Sequence, residues 1–281
     1  MKFSLIFCFA LFVGNLQSYS QNHVVALWPD KVPGQVVSQE DVAISDNNSG
    51  NVTRLSLVTR PILEVFLPDR NSGIGKAIVV CPGGGYNILA IDKEGYEVAE
   101  WLTGLGYHVF VLQYRVPGNR IGAFQDVQRA IRMVRGNSEN FGFDTWQVGV
   151  MGFSAGGHLS ARAATGFKEM SYEPVDEIDN NSCKADFAAL IYPAYLDDNP
   201  DRSLSADINM DGDIPPIFIF GTADDPYGND ALVMAQAMRD NKHPLEFHFL
   251  ASGGHGYGLR KGNPAAETWP RLLATWLKQF E

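Results

Sequence analysis

The sequence predicts an α/β fold in which a mostly parallel central sheet carries helices on both faces. Three observations predict it. Apolar runs of strand length alternate along the chain with segments of helical periodicity. The run at 147–152 continues into a G-x-S-x-G pattern formed by Gly152, Ser154 and Gly156, which is typical of a sharp strand-to-helix turn. The chain has 281 residues and is 45% hydrophobic, enough to bury the core of one large domain.

The predicted elements follow in order from residue 51. An antiparallel pair of strands is expected at 51–58 and 62–67, broken by Arg60 and Pro61. The later strands are expected at 77–81, 107–114, 147–152, 187–192, 217–221 and 245–250. Helices are expected at 94–105, 123–135, 155–165 and 229–241, with a closing helix whose first turn contains Pro270 and which ends at Phe280. In such a fold, functional groups collect at the carboxyl ends of the strands.

Ser154 is the first candidate for a functional residue. In a nucleophile elbow, a strained turn lifts the serine oxygen above the sheet. A Cβ atom at Gly152 or Gly156 would crowd such a turn, which gives the flanking glycines a physical reason. The alternative is a serine that only caps the following helix, so the interpretation depends on whether partner residues are present.

A general base for the serine is sought among the histidines that follow it. His243 precedes Pro244 at a helix end, and His248 alternates inside a predicted strand. His255 lies in the glycine-rich loop 252–258 just after that strand, and such a loop can reach a serine that another strand carries. His255 is therefore the candidate base.

The acid that orients the base should lie in a loop after a core strand. The apolar run 217–221 is typical of a strand that is buried on both faces, and it leads into Asp224 and Asp225. Asp225 is preferred because Pro226 restricts the backbone next to it, and Asp224 is the alternative. The aspartate that does not act is expected to be a solvated turn residue.

The strand at 77–81 is followed by Pro82 and three glycines at 83–85. Backbone N–H groups in such a run can approach a ligand closely. Together with the N–H of the residue after the serine, they could stabilise the oxyanion of a tetrahedral intermediate.

Together these motifs resemble those of α/β-hydrolases of the esterase/lipase group, and in particular bacterial secreted carbohydrate esterases of the acetylxylan-esterase type. The matching segments are 27–29, 81–86, 126–132, 152–158, 222–226 and 254–258. The resemblance implies a catalytic triad, which would be Ser154, Asp225 and His255. It also implies three donors to the oxyanion, which would be the amides of Gly84, Gly85 and Ala155.

The sequence departs from the pattern of related lipases at two places. Many of them carry a histidine where this chain has Pro82, and that histidine braces the glycine loop. The chain also has Tyr227 and Gly228 after the aspartates, where apolar residues would be expected.

The first residues have the features of a signal peptide. A basic start at Lys2 precedes an apolar run from Phe3 to Val13, and small residues follow at 18 and 20. This run is shorter than the roughly 20 residues that a membrane span needs. We therefore expect residues 1–20 to be removed from an exported protein, periplasmic or secreted. The remaining residues, 21–281, would form a single α/β-hydrolase catalytic domain.

Composition limits the partners and cofactors. The formal net charge of -10 argues against nucleic acid and against anionic membrane surfaces. Cys81 and Cys183 are expected to be isolated buried thiols, because a core of this size needs no disulfide. The segment Asp207–Asp213 resembles the first half of a calcium loop, but its twelfth position is Phe218 instead of a glutamate. A solvated acidic turn is expected there, and neither a metal nor another cofactor is predicted.

The function predicted from these features is a serine carboxylesterase that removes short acyl groups, chiefly acetyl, from a carbohydrate such as acetylated xylan. A short acyl group is expected because the longest irregular stretches, 166–184 and 196–213, are polar and offer no apolar lid. The alternatives are a lipase of longer acyl esters, a serine peptidase of the prolyl-peptidase type and a binding protein without activity. The peptidases carry a large extra domain for which 281 residues leave no room.

Overall fold

The structure is a computed structural model that describes residues 23–35, 42–45, 47, 49–69, 72–141, 143 and 147–280. The signal peptide predicted for residues 1–20 lies outside these ranges. Within them, no helix combines the length and the apolar character that crossing a membrane requires.

Strands of the described ranges form two sheets. These strands are β1 (His23–Ala26), β2 (Ala43–Ile44), β3 (Arg54–Ser56), β4 (Ile62–Phe66), β5 (Ala77–Cys81), β6 (Leu89–Ala90), β7 (His108–Gln113), β8 (Val148–Phe153), β9 (Ala188–Ile191), β10 (Ile217–Thr222) and β11 (Leu245–Leu250). The larger sheet has the order β1-β4-β7-β5-β8-β9-β10-β11, and the smaller has the order β2-β3-β6. Strand β4 is antiparallel to both of its neighbours, whereas all pairs from β7 to β11 are parallel. The prediction of a mostly parallel sheet is confirmed.

The helices alternate with the strands of the large sheet. They are α1 (Glu97–Gly104), α2 (Arg120–Gly136), α3 (Ala155–Thr165), α4 (Gly228–Asp240) and α5 (Pro264–Leu277). A π-helical turn, Asp92–Tyr96, leads directly into α1. The bounds of β5, α3 and β11 coincide with the predicted ones.

Neighbouring residues of β8 show that helices cover both faces of the sheet. A Cβ on Gly152 would meet the Oγ of Ser160, which belongs to α3. The ring of the next residue, Phe153, packs at 5.8 Å from that of Trp269 in α5. Since successive side chains of a strand point to opposite faces, α3 and α5 lie on opposite sides of the sheet. Helix α2 packs on α3, and α1 contacts α5 through Trp101, 5.2 Å from Trp269.

The predicted antiparallel pair of strands at 51–58 and 62–67 is wrong. Strand β3 belongs to the small sheet, and β4 pairs with β1 and β7. The three central residues of β4 are buried, so this strand lies inside the sheet and needs a partner on each edge. The sequence did not reveal β1 because it has four residues and is mostly exposed, without an alternating pattern.

The predicted start of the closing helix is also wrong. Helix α5 begins at Pro264, where Asn263 accepts hydrogen bonds from the amides of Ala265 and Ala266, and Pro270 lies in its interior. The pair of Asn263 and Pro264 is a regular start signal, an N-cap followed by a proline in the first turn. An interior proline removes one backbone hydrogen bond, but the buried face of α5 keeps the helix in place.

The register of the large sheet brings four loops to one edge. Cys81 pairs with Gly152 at the ends of β5 and β8, and Thr222 pairs with Leu250 at the ends of β10 and β11. Strand β5 is also the point at which the chain order changes direction, because β7 lies on one side of it and β8 on the other. A crevice forms at such a switch point, outside the carboxyl ends of the strands.

A buried ion pair ties the first described segment to helix α2. Asp126 is fully buried and accepts hydrogen bonds from Arg115 and from the indole N–H of Trp28, at 2.9 Å in both cases. The guanidinium of Arg115 also donates to the carbonyl oxygens of Pro33 and Gly122. This cluster therefore joins the segment around Trp28 to helix α2 and to the residues after β7.

We expect Asp126→Asn to lower the free energy of unfolding by about 3–5 kcal/mol, because Arg115 would lose its buried counter-charge. Urea unfolding followed by circular dichroism measures the loss. The control is Asp213→Asn, whose carboxylate is 91% exposed in its pair with Lys184, and which should change stability by less than about 1 kcal/mol. Equal losses in the two variants would contradict the importance of the buried pair.

Candidate active site

The turn between β8 and α3 holds Ser154 in a strained backbone conformation, with φ of 52° and ψ of -119°. A Cβ on Gly152 would lie 1.9 Å from the carbonyl oxygen of Gly156, and a Cβ on Gly156 would lie 2.0 Å from that of Cys81. Both positions therefore require glycine, as the sequence predicted. The Ser154 side chain makes no capping hydrogen bond to α3, which contradicts the interpretation of this serine as a helix cap.

The side chains of Ser154, His255 and Asp225 form one continuous line of hydrogen bonds. His255 Nε2 lies 2.8 Å from Ser154 Oγ, and His255 Nδ1 lies 2.8 Å from Asp225 Oδ2. A carboxylate can only accept, so Nδ1 carries the hydrogen and Nε2 is left to accept from the serine hydroxyl. The Asp225 side chain is 1% exposed, and its other oxygen accepts from the amide of Tyr227 at 2.8 Å.

Asp224 makes different contacts from Asp225. Its carboxylate accepts hydrogen bonds from the amides of Gly253 at 2.9 Å and Gly254 at 2.8 Å. These bonds from Gly254 and Gly253 lower the pKa of the Asp224 carboxyl. Asp224 is exposed and lies in a turn, as expected of the second aspartate. Its contacts with Gly253 and Gly254 also anchor the loop that carries His255.

The other candidate histidines lie away from Ser154. His243 Nε2 contacts the carbonyl oxygen of Met210 at 2.9 Å, and His248 Nε2 contacts a carboxylate oxygen of Glu246 at 2.8 Å. Neither bonds to the serine. The choice of His255 as the residue that reaches Ser154 therefore agrees with the geometry.

The glycine loop after β5 presents amides beside the serine. Gly84 has φ of 137° and Gly85 has φ of 65°, conformations that L side chains rarely adopt. In the described chain, the amides of Gly84, Gly85 and Ala155 donate to no protein acceptor. Ala155 is the first residue of α3, and its N–H has no partner within that helix. Gly84, Gly85, Ser154 and His255 all line one cleft.

The loop is braced by groups that the sequence did not identify. The amide of Gly83 donates to Glu94 Oε2 at 2.8 Å, and the hydroxyl of Tyr114 donates to the carbonyl oxygen of Pro82 at 2.6 Å. Burial raises the pKa of the Glu94 carboxyl. The glycine loop is therefore supported although Pro82 replaces the histidine of related lipases. The sequence carried no signal for Glu94, because a charged residue at the start of a predicted helix is ordinary and does not indicate a buried role.

The cleft that contains Ser154 has a volume of about 320 Å³. The rings of Tyr195 and Tyr227 form part of its wall, and Tyr227 packs at 4.8 Å from the His255 ring. Arg54 and Lys93 also line it. The wall thus includes aromatic and cationic groups and has no large apolar surface.

The segment Asp207–Asp213 is not simply a solvated turn. Asp207 lies 3.2 Å from the guanidinium of Arg162 and accepts a hydrogen bond from Ser205. Burial alone would raise the pKa of the Asp207 carboxyl, but contacts with buried His158, Ser205 and Arg162 hold it well below its usual range. Among the described residues, no group of three histidine, cysteine or acidic side chains is placed to hold a metal ion.

Cys81 and Cys183 are both buried and form no disulfide, as the sequence predicted. Burial raises the pKa of the Cys81 thiol to about 12. The thiolate form, which is the reactive one, is therefore disfavoured at this position.

Comparisons with known proteins agree with the fold and with its resemblance to esterases. Residues 63–193 match the family model described as BD-FAE. An acetylxylan esterase from Xylanibacter ruminicola is 31% identical over 76% of this chain and 47% of its own length. Endo-1,4-beta-xylanase B from Butyrivibrio fibrisolvens is 30% identical over 64% of this chain and 32% of its own length. The chain thus spans half or less of the length of these two relatives.

A solved structure shows the same architecture over almost the whole chain. The acetyl ester-xyloside bifunctional hydrolase from Caldicellulosiruptor lactoaceticus is 28% identical, with a TM-score of 0.71, and the match covers 92% of this chain and 96% of that one. An α/β-hydrolase enzyme, MGS-M1, from a deep-sea metagenome library has a TM-score of 0.62 at 23% identity, covering 85% of this chain and 97% of that one. The chain therefore has the α/β-hydrolase fold, and its resemblance to the esterases of that fold is confirmed.

Proposed function

We propose that this chain is a serine carboxylesterase that removes acetyl groups from a carbohydrate such as acetylated xylan. The observation that carries the proposal is the hydrogen-bonded line from Ser154 through His255 to Asp225, next to three amides without a protein acceptor. This combination is what acyl transfer by a serine requires: a nucleophile, a base held in one tautomer, and donors for the developing oxyanion.

In the proposed reaction, Ser154 Oγ attacks the carbonyl carbon of the ester while His255 Nε2 takes the serine proton. The negative charge moves to the carbonyl oxygen, where the amides of Gly84, Gly85 and Ala155 would stabilise it. The intermediate collapses when the bond to the sugar oxygen breaks and His255 gives that oxygen its proton. Water then attacks the acyl-serine by the same route, which releases acetate and restores Ser154.

The acyl group in this proposal is short because the cleft offers little apolar wall. Each CH₂ group contributes about 0.8 kcal/mol only if it leaves water for an apolar surface. Few aliphatic side chains line the cleft, and the larger of them are Val52 and Ile88. An acetyl group needs no more than this, whereas a long acyl chain would remain in water. A lipase of long-chain esters is therefore the less favoured alternative.

The carbohydrate part of the proposal is supported by the relatives, whose names refer to acetylxylan, xylan and xylosides. Tyr195 and Tyr227, whose rings pack at 5.9 Å from each other, line the cleft, and aromatic rings pack well against the apolar faces of a sugar. A peptidase that holds a free amine would need carboxylates here. Glu94 lines the cleft, but its two oxygens already accept from the amide of Gly83 and the hydroxyl of Tyr192. The other charged side chains of the wall, Arg54 and Lys93, are cationic.

We also propose that the protein is exported, periplasmic or secreted, after removal of residues 1–20. The support is the basic start, the short apolar run and the small residues that follow it. A polymer such as xylan cannot enter a cell, so an esterase of this kind would meet its substrate outside the cytoplasm. The net charge of -10 supports the absence of nucleic acid and anionic membranes among its partners.

For the nucleophile, we expect Ser154→Ala to keep the fold and to lower kcat for p-nitrophenyl acetate by about 10³-fold or more. Only binding and oxyanion stabilisation would remain. Initial rates and a circular dichroism spectrum test this expectation together. Activity within tenfold of the wild type, in a folded variant, would remove the proposed mechanism.

For the acid, we expect Asp225→Asn to lower kcat by on the order of 10³- to 10⁴-fold. The side-chain amide of asparagine would no longer keep the hydrogen of the His255 ring on Nδ1, so Nε2 would not be free to accept the serine proton. The matched control is Asp224→Asn. Its remaining amide oxygen can still accept from Gly253 and Gly254, so kcat should change by less than about fivefold. The opposite ranking of the two variants would assign the acid to Asp224.

For the acyl group, we expect kcat/KM on p-nitrophenyl esters to be highest for acetyl and to fall at least about tenfold by octanoyl, since the cleft cannot cover the added CH₂ groups. Release of acetate from acetylated xylan, without cleavage of aminoacyl anilides, is expected in the same panel. Faster hydrolysis of octanoyl than of acetyl esters would indicate a lipase. Cleavage of the anilides would indicate a peptidase.

A further inference from the structure

We propose that Glu94 is a positioning residue that holds the glycine loop and the histidine loop in register with each other through its two carboxylate oxygens. The inference rests on the proposed esterase function. It concerns a side chain that does not contact the reacting atoms itself but acts through Gly83 and Tyr192.

Glu94 is a buried carboxylate without a close counter-ion. It is 4% exposed, and no ion pair of the described residues includes it. Asp126, by contrast, is buried against Arg115 at 2.9 Å. Burying an unpaired carboxylate costs several kcal/mol, so its oxygens must make hydrogen bonds that matter to the fold or to the site. Glu94 also lines the catalytic cleft, which points to the site.

One oxygen of Glu94 holds the glycine loop. Oε2 accepts from the amide of Gly83 at 2.8 Å, immediately before the two glycines whose amides are the proposed oxyanion donors. A Cβ on Gly83 would lie 2.6 Å from this oxygen and 2.6 Å from the carbonyl oxygen of Phe153. Gly83 is therefore packed between Glu94 and the elbow, and the position of Glu94 determines where the next two amides lie.

The other oxygen of Glu94 connects to the histidine loop through Tyr192, which directly follows β9. The Tyr192 hydroxyl donates to Glu94 Oε1 at 2.8 Å and accepts from the amide of Gly258 at 3.0 Å. Gly258 lies three residues after His255, and the Tyr192 ring packs at 5.1 Å from the imidazole. A chain of hydrogen bonds thus connects the glycine loop to the histidine loop, from Gly83 through Glu94 and Tyr192 to Gly258.

This connection matters because the two halves of the site come from distant strands. The glycine loop follows β5 and the histidine loop follows β11, with β8, β9 and β10 between them. Oxyanion donors act only within a narrow distance, about 2.7–3.1 Å from the developing charge. A displacement of a few tenths of an ångström between the loops would lower transition-state stabilisation while leaving substrate binding almost unchanged.

The experiment compares Glu94→Gln, Tyr192→Phe and the double variant by kcat and KM for p-nitrophenyl acetate, with thermal unfolding measured in parallel. We expect each single variant to lower kcat at least about tenfold with KM within about twofold, less than the 10²- to 10³-fold effect of losing an oxyanion donor itself. The double variant should be little worse than the more affected single variant, because both changes interrupt the same chain of bonds.

The control is Asp179→Asn, at a buried carboxylate that, unlike Glu94, also pairs with a buried guanidinium, that of Arg129 at 2.9 Å. Asp179 is also a buried carboxylate that accepts from a tyrosine hydroxyl, Tyr172 at 2.6 Å, and from a backbone amide, Val175 at 2.9 Å. It does not line the cleft, so its loss should lower the unfolding temperature while kcat stays within about twofold of wild type. A merely structural role of Glu94 would give the same pattern as this control.

The proposal is overturned if Glu94→Gln and Tyr192→Phe both keep kcat within twofold of wild type, or if their effects on kcat multiply as those of independent sites do. Should Glu94→Gln fail to fold, Tyr192→Phe decides alone by the same criterion. Failure of the proposed function is seen separately: a wild type that does not hydrolyse p-nitrophenyl acetate would contradict the esterase activity, and a fully active Ser154→Ala variant would contradict the serine mechanism, whatever the Glu94 variants do.

Discussion

The close approach of three backbone segments at the carboxyl end of β8 is the constraint on which the site depends. Ser154 is strained at φ of 52°, and the carbonyl oxygens of Gly156 and Cys81 occupy the space that side chains at 152 and 156 would need. Only glycine permits this contact between the elbow and β5. Once it is made, the serine and the glycine loop line one cleft, and the first residue of α3 directly follows the serine.

Three carboxylates near this cleft are chemically alike but have different roles, because each contacts different groups. Asp225 contacts the imidazole of His255, Asp224 anchors the amides that precede that histidine, and Glu94 joins Gly83 to Tyr192. The loops of an α/β sheet are long enough to move, and each of these carboxylates restricts one of them. The acid of the triad is therefore one part of a larger set of acceptors that hold the active-site loops.

The elements that the sequence predicted well are those whose evidence is local. Strand β5, helix α3 and strand β11 have the predicted bounds, since each has a clear local pattern with a glycine or proline at one end, Pro82 after β5, Gly166 after α3 and Pro244 before β11. Strand β1 escaped prediction because an exposed edge strand of four residues is defined by its pairing with β4 and by no pattern of its own. For α5, Asn263 and Pro264 are the local start signal, and Pro270, which also suits a first turn, lies in the helix interior.

The sequence by itself determined the α/β fold, Ser154 at its elbow and the loop that carries His255, since strand-to-helix turns, glycine spacing and chain order are local properties that a linear pattern records. It left the acid open between Asp224 and Asp225. Only the tertiary structure showed that Asp225 contacts His255 while Asp224 contacts backbone amides. It also revealed that Glu94 and Tyr192 connect two loops. The physical reason is that a hydrogen bond joins atoms over about 3 Å of space. Glu94 and Tyr192 are 98 positions apart along the chain, and no pattern of neighbouring residues records such a pairing.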